Sequence, residues 1–249
     1  MNGLMKVISL GTIFLAVALG GCGGSSGSGG STGAGSATGT GANDGTLTGP
    51  PMVTTGPYQP LVMNATWTYH VNDKGVQYDK MAVFEGVDNG NQYRMNETIP
   101  NQKQLTWYTN VSDTIVGRVH EQSFDTSTGT DVMKSEDVYD PYRLRVDTSP
   151  EHAAMGASWT WTFNDTHSSR SKPTATAAVT EGWLTDGVDV PVGVPAGNFA
   201  SLKVTHMDPT DPTSGMKTYW FVKGVGKVRE ETTAGHIEEL TSYNVPPSQ

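Results

Sequence analysis

Cysteine is almost absent from this chain: Cys22 is the only one in 249 residues. No disulfide can form within the chain, so a disulfide-stapled fold is excluded. Helical signal is nearly as scarce. Ser149-Pro150-Glu151 looks like a cap followed by proline at a first turn, but Gly156 stops anything that starts there. The apolar run over 7–19 is too short to span a bilayer comfortably as a helix. Basic residues are few, with Lys and Arg at 16 against 25 Asp and Glu, a net charge of −9 and a pI near 5.0. That balance argues against nucleic acid and against anionic lipid surfaces as electrostatic partners. Catalytic signatures are missing too. There is no Gly-x-Ser-x-Gly elbow and no His-Glu-x-x-His, and the six histidines show no short metal spacing. The sequence therefore implies no metal and no cofactor.

What is present begins with an export signal. Lys6 is its only charge, and the apolar run over 7–19 follows it. Leu19-Gly20-Gly21-Cys22 resembles a bacterial lipobox, in which cleavage precedes the cysteine and lipid is attached to it. The sole cysteine sits where a lipobox needs it, whereas a stray thiol in an oxidising compartment is a liability. The resemblance implies a signal peptide over 1–21, lipidation at Cys22 and a membrane contact through that lipid. Gly23 is not the aspartate that retains many lipoproteins at the inner membrane, which implies the outer membrane of a bacterial envelope.

Residues 22–57 form the lipidated cysteine and a tether. Gly, Ser, Thr and Ala dominate it and cannot bury enough apolar surface to order the segment. Its most biased part, Gly23 to Gly49, has a root-mean-square reach of roughly 28 Å. The folded part spans 58–245, as one domain or as two closely packed halves, 58–147 and 148–245. Its texture is mainly β. Trp67, Tyr69 and Val71 alternate with Thr68 and His70. Trp159, Trp161 and Phe163 alternate with Thr160 and Thr162. This period of two predicts half-buried antiparallel strands. Clusters of Asn, Asp, Gly and Pro, such as 88–91 and 208–212, separate them.

The halves echo one another. Asn64-Ala-Thr-Trp-Thr-Tyr69 matches Gly156-Ala-Ser-Trp-Thr-Trp161, and Phe84-Glu-Gly86 matches Thr180-Glu-Gly182. Leu105-Thr-Trp-Tyr108 before Val116-Gly-Arg-Val119 matches Lys217-Thr-Tyr-Trp220 before Gly226-Lys-Val-Arg229. The order is kept, so the chain reads as two related β units.

The sharpest local stretch is 218–231. Tyr219 and Phe221 point to one face, Trp220 and Val222 to the other, so both faces are expected to be covered. Gly224 and Gly226 permit positive φ or a close backbone approach at a structural turn. The return strand carries Val228 between charges, which predicts a more exposed strand. Gly-Val-Gly-Lys looks like part of a phosphate loop, but Phe221 stands where its first glycine belongs and Val228 where Ser or Thr is required.

Three motifs then carry a family resemblance: Tyr58-Gln-Pro-Leu through Trp67-Thr-Tyr69, Val194-Pro-Ala-Gly-Asn-Phe199, and Tyr219-Trp-Phe-Val-Lys-Gly-Val-Gly-Lys-Val228. Together they resemble a broad class of uncharacterised bacterial lipoproteins. Asn64 departs from the glycine usual in the opening motif, but asparagine also tolerates left-handed φ. The resemblance implies a curved antiparallel sheet like the half-barrels of periplasmic lipoprotein carriers, and no chemistry.

Among candidates for chemistry, Asp125-Thr-Ser-Thr-Gly-Thr-Asp131 has oxygen donors at alternate positions but lacks a calcium-loop core, and reads as a hairpin turn. The pairs Glu230-Glu231 and Glu238-Glu239 would work as acid and base only if the fold buried one of each. Their charged neighbours predict a solvated edge instead. Trp67, Trp159 and Trp161 are the candidate ligand-lining residues: on the concave side of a curved sheet they would bind an acyl chain. The expected function is a non-catalytic binding or structural module with an acyl or protein ligand. The alternative is an envelope hydrolase whose site assembles only in the fold.

Overall fold

The computed structural model describes residues 54–211 and 215–247. The signal segment, Cys22 and the tether up to residue 53 lie outside the described residues. Twelve strands follow in order: β1 (Thr66–Asp73), β2 (Val76–Asp88), β3 (Gln92–Ile99), β4 (Gln102–Asn110), β5 (Ile115–Asp125), β6 (Val132–Asp147), β7 (Ser158–Ser169), β8 (Lys172–Val194), β9 (Gly197–Met207), β10 (Lys217–Val222), β11 (Gly226–Thr232) and β12 (His236–Asn244). Among the described residues there is no helix.

Each strand pairs antiparallel with its neighbour in sequence, and β1 also pairs with β12. The mainly β expectation is met, but the sheet does not stop at a half-barrel. Thr66 opposite Asn244 and Asp73 opposite His236 close it into a barrel. Closure removes the sheet edges that a half-barrel would expose.

The period of two decides what points inward. On β1, Trp67, Tyr69 and Val71 are buried while Thr66, Thr68 and His70 lie on the other face. On β2 the inward set is Lys80, Ala82 and Phe84, opposite exposed Gln77, Asp79 and Glu85. The outward side chains of these two strands thus mix Thr, His, Asp, Gln and Glu with Met81 and Val83, unlike the continuous apolar band of a lipid-spanning barrel. Phe84 is a hub of the inner wall, edge-on to Trp67, Tyr93 and Tyr108.

One end of the barrel is sealed by two devices. Residues 54–65 form a strap, with Gln59 buried, Gly224 N–H donating to the Pro57 carbonyl at 2.8 Å and Asn64 N–H to Phe84 at 2.9 Å. The second is the tip of the β8–β9 hairpin. It bends where register shifts between Thr185 and Val190, then packs buried Val192, Val194 and Phe199 into the core. Ala196 N–H reaches the Leu240 carbonyl at 2.9 Å.

The strap explains the glycine corner. Gly224 and Gly226 have φ of +70° and +103°, and a Cβ on Gly224 would collide with the Thr55 carbonyl oxygen. Trp67 Nε1–H donates to Val225 O at 2.6 Å, and the Tyr69 hydroxyl to Lys227 O at 2.9 Å. The first strand therefore grips the corner through side chains. β11 is not an exposed strand: Gly226, Lys227, Val228 and Glu230 are all buried. Its inward charges, Lys227 and Glu230, are accommodated by partners inside the barrel.

Echoing segments fall six strands apart: β1 with β7, β2 with β8, β4 with β10 and β5 with β11. Topological place is kept, but facing is not always kept. Tyr219 packs in the core, whereas its counterpart Trp107 points out and donates to Asp88.

Candidate functional site

Two unlike side-chain systems occupy the inside and the wall of the barrel. The first is ionic. Lys227 Nζ lies 2.5 Å from Glu230 and 2.7 Å from Glu238, and Lys80 Nζ lies 2.6 Å from Glu238 and 3.3 Å from Glu97. Lys227, Glu230 and Glu238 are all at least nine-tenths buried. Burial works against every one of these charges. The opposite charges outweigh it, so both ammoniums end with raised pKa and Glu97, Glu230 and Glu238 with lowered pKa. The acidic pairs are therefore split. Glu230 and Glu238 face in, while Glu231 and Glu239 face out and hold Arg229. The expectation of a solvated edge is corrected by strand alternation, which sends consecutive carboxylates to opposite faces.

Further round the interior, Arg118 pairs with Glu121 at 2.8 Å and Arg143 with Glu181 at 2.7 Å. Arg145 lies over the rings of Tyr219 and Phe221 and donates to Gln59 at 3.4 Å. The inward cations Lys80, Lys227, Arg118 and Arg143 thus each meet a glutamate, among Glu97, Glu121, Glu181, Glu230 and Glu238. Burial pushes the Glu181 carboxyl up, but Arg143 and His206 outweigh it and hold its pKa at about 2.

Ligand atoms of Glu230, His236 and Glu238 lie within 4.8 Å of one another, a spacing that could hold an ion. The Lys227 and Lys80 ammoniums already sit on those carboxylates, so a cation would have to displace them. Asp125 accepts from Ser127 N–H at 2.9 Å, and Asp131 pairs with Lys103, as in a hairpin turn. Each histidine lies against a carboxylate, for example His120 with Glu136 and His167 with Asp137. For His70, His120, His167 and His206 the partner comes from a neighbouring strand, so sequence spacing gave no sign of the pairing; His152 and His236 pair locally, with Asp147 and Glu238.

The second system is aromatic. The β6–β7 ladder joins Ser135–Asp140 to Asn164–Ser169 and then stops. Pro141 follows, which has no N–H to donate. Beyond it, 142–147 pair with β5 and 158–163 with β8, but not with each other. Side chains bridge this seam. Trp161 Nε1–H donates to the Tyr142 carbonyl at 2.8 Å, and the two rings stack at 4.5 Å. Trp159 stacks on His152 at 4.1 Å and continues inward to Trp183 and Tyr219. Gly117 makes room, since a Cβ there would come within 2.7 Å of the Tyr142 ring.

A cleft of about 340 Å³ opens at this seam, within the range of small-molecule sites. Ile115, Tyr142, Leu144, Trp159 and Trp161 form its apolar wall; Asp147, Ser149, Glu151, His152 and Thr160 complete the lining. Of the three candidate tryptophans, Trp159 and Trp161 are brought together here. Trp67 does not line the cleft. It is 2% exposed and locked onto the corner carbonyl of Val225.

The cleft contains one trio that sequence reasoning passed over. Asp147 Oδ2 holds His152 Nδ1 at 2.7 Å and its Oδ1 accepts from Ser149 N–H at 2.9 Å. The spacing Asp-x-Ser-x-x-His was the only signal for it. A nucleophilic triad needs the serine hydroxyl within hydrogen-bond reach of the histidine and open to substrate. The Ser149 hydroxyl is shut off from solvent and makes no hydrogen bond among the described residues. Asp147 and His152 serve instead to fix the loop over Trp159. Set against known protein families, curated proteins and solved structures, the chain matches none of them.

Proposed function

We propose that this is a bacterial envelope lipoprotein, anchored in the outer membrane through lipid on Cys22, whose barrel is a non-catalytic binding module. The observation that carries the binding role is the aromatic cleft at the β6–β7 seam, which has an apolar wall and no assembled nucleophile and base. The lone cysteine at the lipobox and the Gly- and Ser-rich tether support the anchor. The ligand is the apolar portion of an envelope component. Burying such a portion against Trp159, Trp161 and Leu144 gains about 0.8 kcal/mol per methylene before ordering losses.

Two measurements test the reading. Cys22→Ala removes the lipid and is expected to abolish partitioning into the detergent phase; unchanged partitioning defeats the lipoprotein assignment. Acyl ligands titrated into the protein are expected to shift its tryptophan emission to the blue in a saturable way. Trp159→Ala weakens that response and Trp67→Phe leaves the affinity unchanged. Saturable turnover of an ester, lost in Ser149→Ala, would overturn the non-catalytic reading in favour of a hydrolase.

A further inference from the structure

We infer that the seam cleft selects a small organic cation, an ammonium group carrying an apolar substituent. The inference rests on the binding role proposed for the same cleft and adds the charge of its ligand.

The charge of the lining is one-sided. Asp147 and Glu151 are its only fixed charges, both negative, and no lysine or arginine lines it. The two arginines nearest in sequence, Arg143 and Arg145, turn to the inside of the barrel, where Glu181 and the rings of Tyr219 and Phe221 take them. Alternation along β6 is the cause: Tyr142 and Leu144 face the cleft, and Arg143 lies on the opposite face with Arg118. An anionic ligand would therefore meet two carboxylates and no lysine or arginine.

The two acids differ in what they have left to offer. Asp147 is engaged with His152 and with Ser149 N–H, and little of it is exposed. Glu151 is exposed, and its carboxylate makes no hydrogen bond or ion pair among the described residues. It lines the same cleft as Tyr142, Trp159 and Trp161. Aromatic rings attract an ammonium through their quadrupole, and the attraction grows as water is excluded. A cation with an apolar body satisfies both halves of this lining, with the body on Ile115 and Leu144 and the charge between the rings and Glu151. The overall charge of −9 steers cations toward the protein as well.

The test uses three probes of similar size: benzyltrimethylammonium, benzyl alcohol and benzoate. Each is titrated into the full-length protein in nanodiscs of zwitterionic lipid, with tryptophan emission as the readout. Benzyltrimethylammonium is expected to bind about tenfold more tightly than benzyl alcohol, with benzoate weaker than both. Glu151→Gln is expected to reduce the ammonium affinity about threefold and leave benzyl alcohol unchanged. Added salt should weaken only the ammonium. If benzyl alcohol or benzoate binds as tightly as the ammonium, the charge inference fails while the cleft remains a binding site. If Glu151→Gln changes nothing, the carboxylate has no part and the inference fails on that ground. If none of the three binds, the cleft is not a ligand site and both readings fall together.

Discussion

Between β11, β12, β2 and β3 the interior holds ammoniums and carboxylates, and the backbone ladders there continue from strand to strand. Between β6 and β7 the ladder is broken and indoles fill the gap. Buried ion pairs require fixed geometry, because each charge is costly unless its partner stays within reach. Paired strands supply that geometry: Glu230 and Glu238 are direct cross-strand partners on β11 and β12, and Lys227 of β11 reaches both. Stacked rings are attractive over a broader range of offsets. They can hold two strands together without a ladder, and the space they fail to fill is the cleft. Rigidity and vacancy are thus assigned to different sectors of one barrel.

The largest expected effect breaks the ionic side. Lys227→Met leaves Glu230 and Glu238 without their shared ammonium and is expected to cost about 3–5 kcal/mol, read from urea unfolding. Adding Glu230→Gln to it should recover part of the loss. A single variant as stable as the parent would show that the lattice is dispensable.

The next effect is set by pH. The ordinary pKa of Glu181 is 4.5, and in the fold it is held at about 2. Its contribution is complete above 4.5 and is lost as pH falls toward 2, roughly 3 kcal/mol for a group so deeply buried. Asp165 runs the other way. Burial first and Asp137 second raise its pKa from 3.8 to about 6, so it lowers stability as pH rises through that window. Asp165→Asn should therefore stabilise the protein above pH 6 and leave it unchanged near pH 3. Thermal melts across pH check both signs, and a stability falling with pH in Asp165→Asn as in the parent would contradict the second.

The smallest effect sharpens the aromatic side. Trp161→Phe removes the hydrogen bond to Tyr142 O but keeps a ring in the seam, at a cost of about 1 kcal/mol. Amide exchange should quicken at 142–147 and stay slow on β11 and β12. Equal acceleration on both sides would mean that the seam is no weaker than the lattice.

Much of the fold was legible because strand alternation is a short-range signal. Trp67, Tyr69 and Val71 announce β1 without knowledge of any neighbour, and the corner at Gly224 and Gly226 announces its own turn. The lattice was not legible. Glu230 beside Glu231 looks like any solvated acidic pair, and only the lysines of β2 and β11 reveal that one of the two is inside. The cleft was half legible. The alternation of Trp159 and Trp161 marked them as candidates, but the end of the β6–β7 ladder that gives them a cavity depends on where β6 departs from its partner. Trp67 shows the limit of the same reasoning. Its pattern matches theirs, and its fate is decided by a carbonyl, that of Val225, which lies 158 residues away.

The closure between β1 and β12 has a kinetic consequence. Every other ladder joins strands adjacent in sequence and can form as soon as its hairpin exists. The last ladder, with Thr66 opposite Asn244, links nearly the two ends of the domain. The entropy of closing so long a loop is concentrated in that one step. The barrel cannot be completed until β12 has met β1, so one side stays open until that last step.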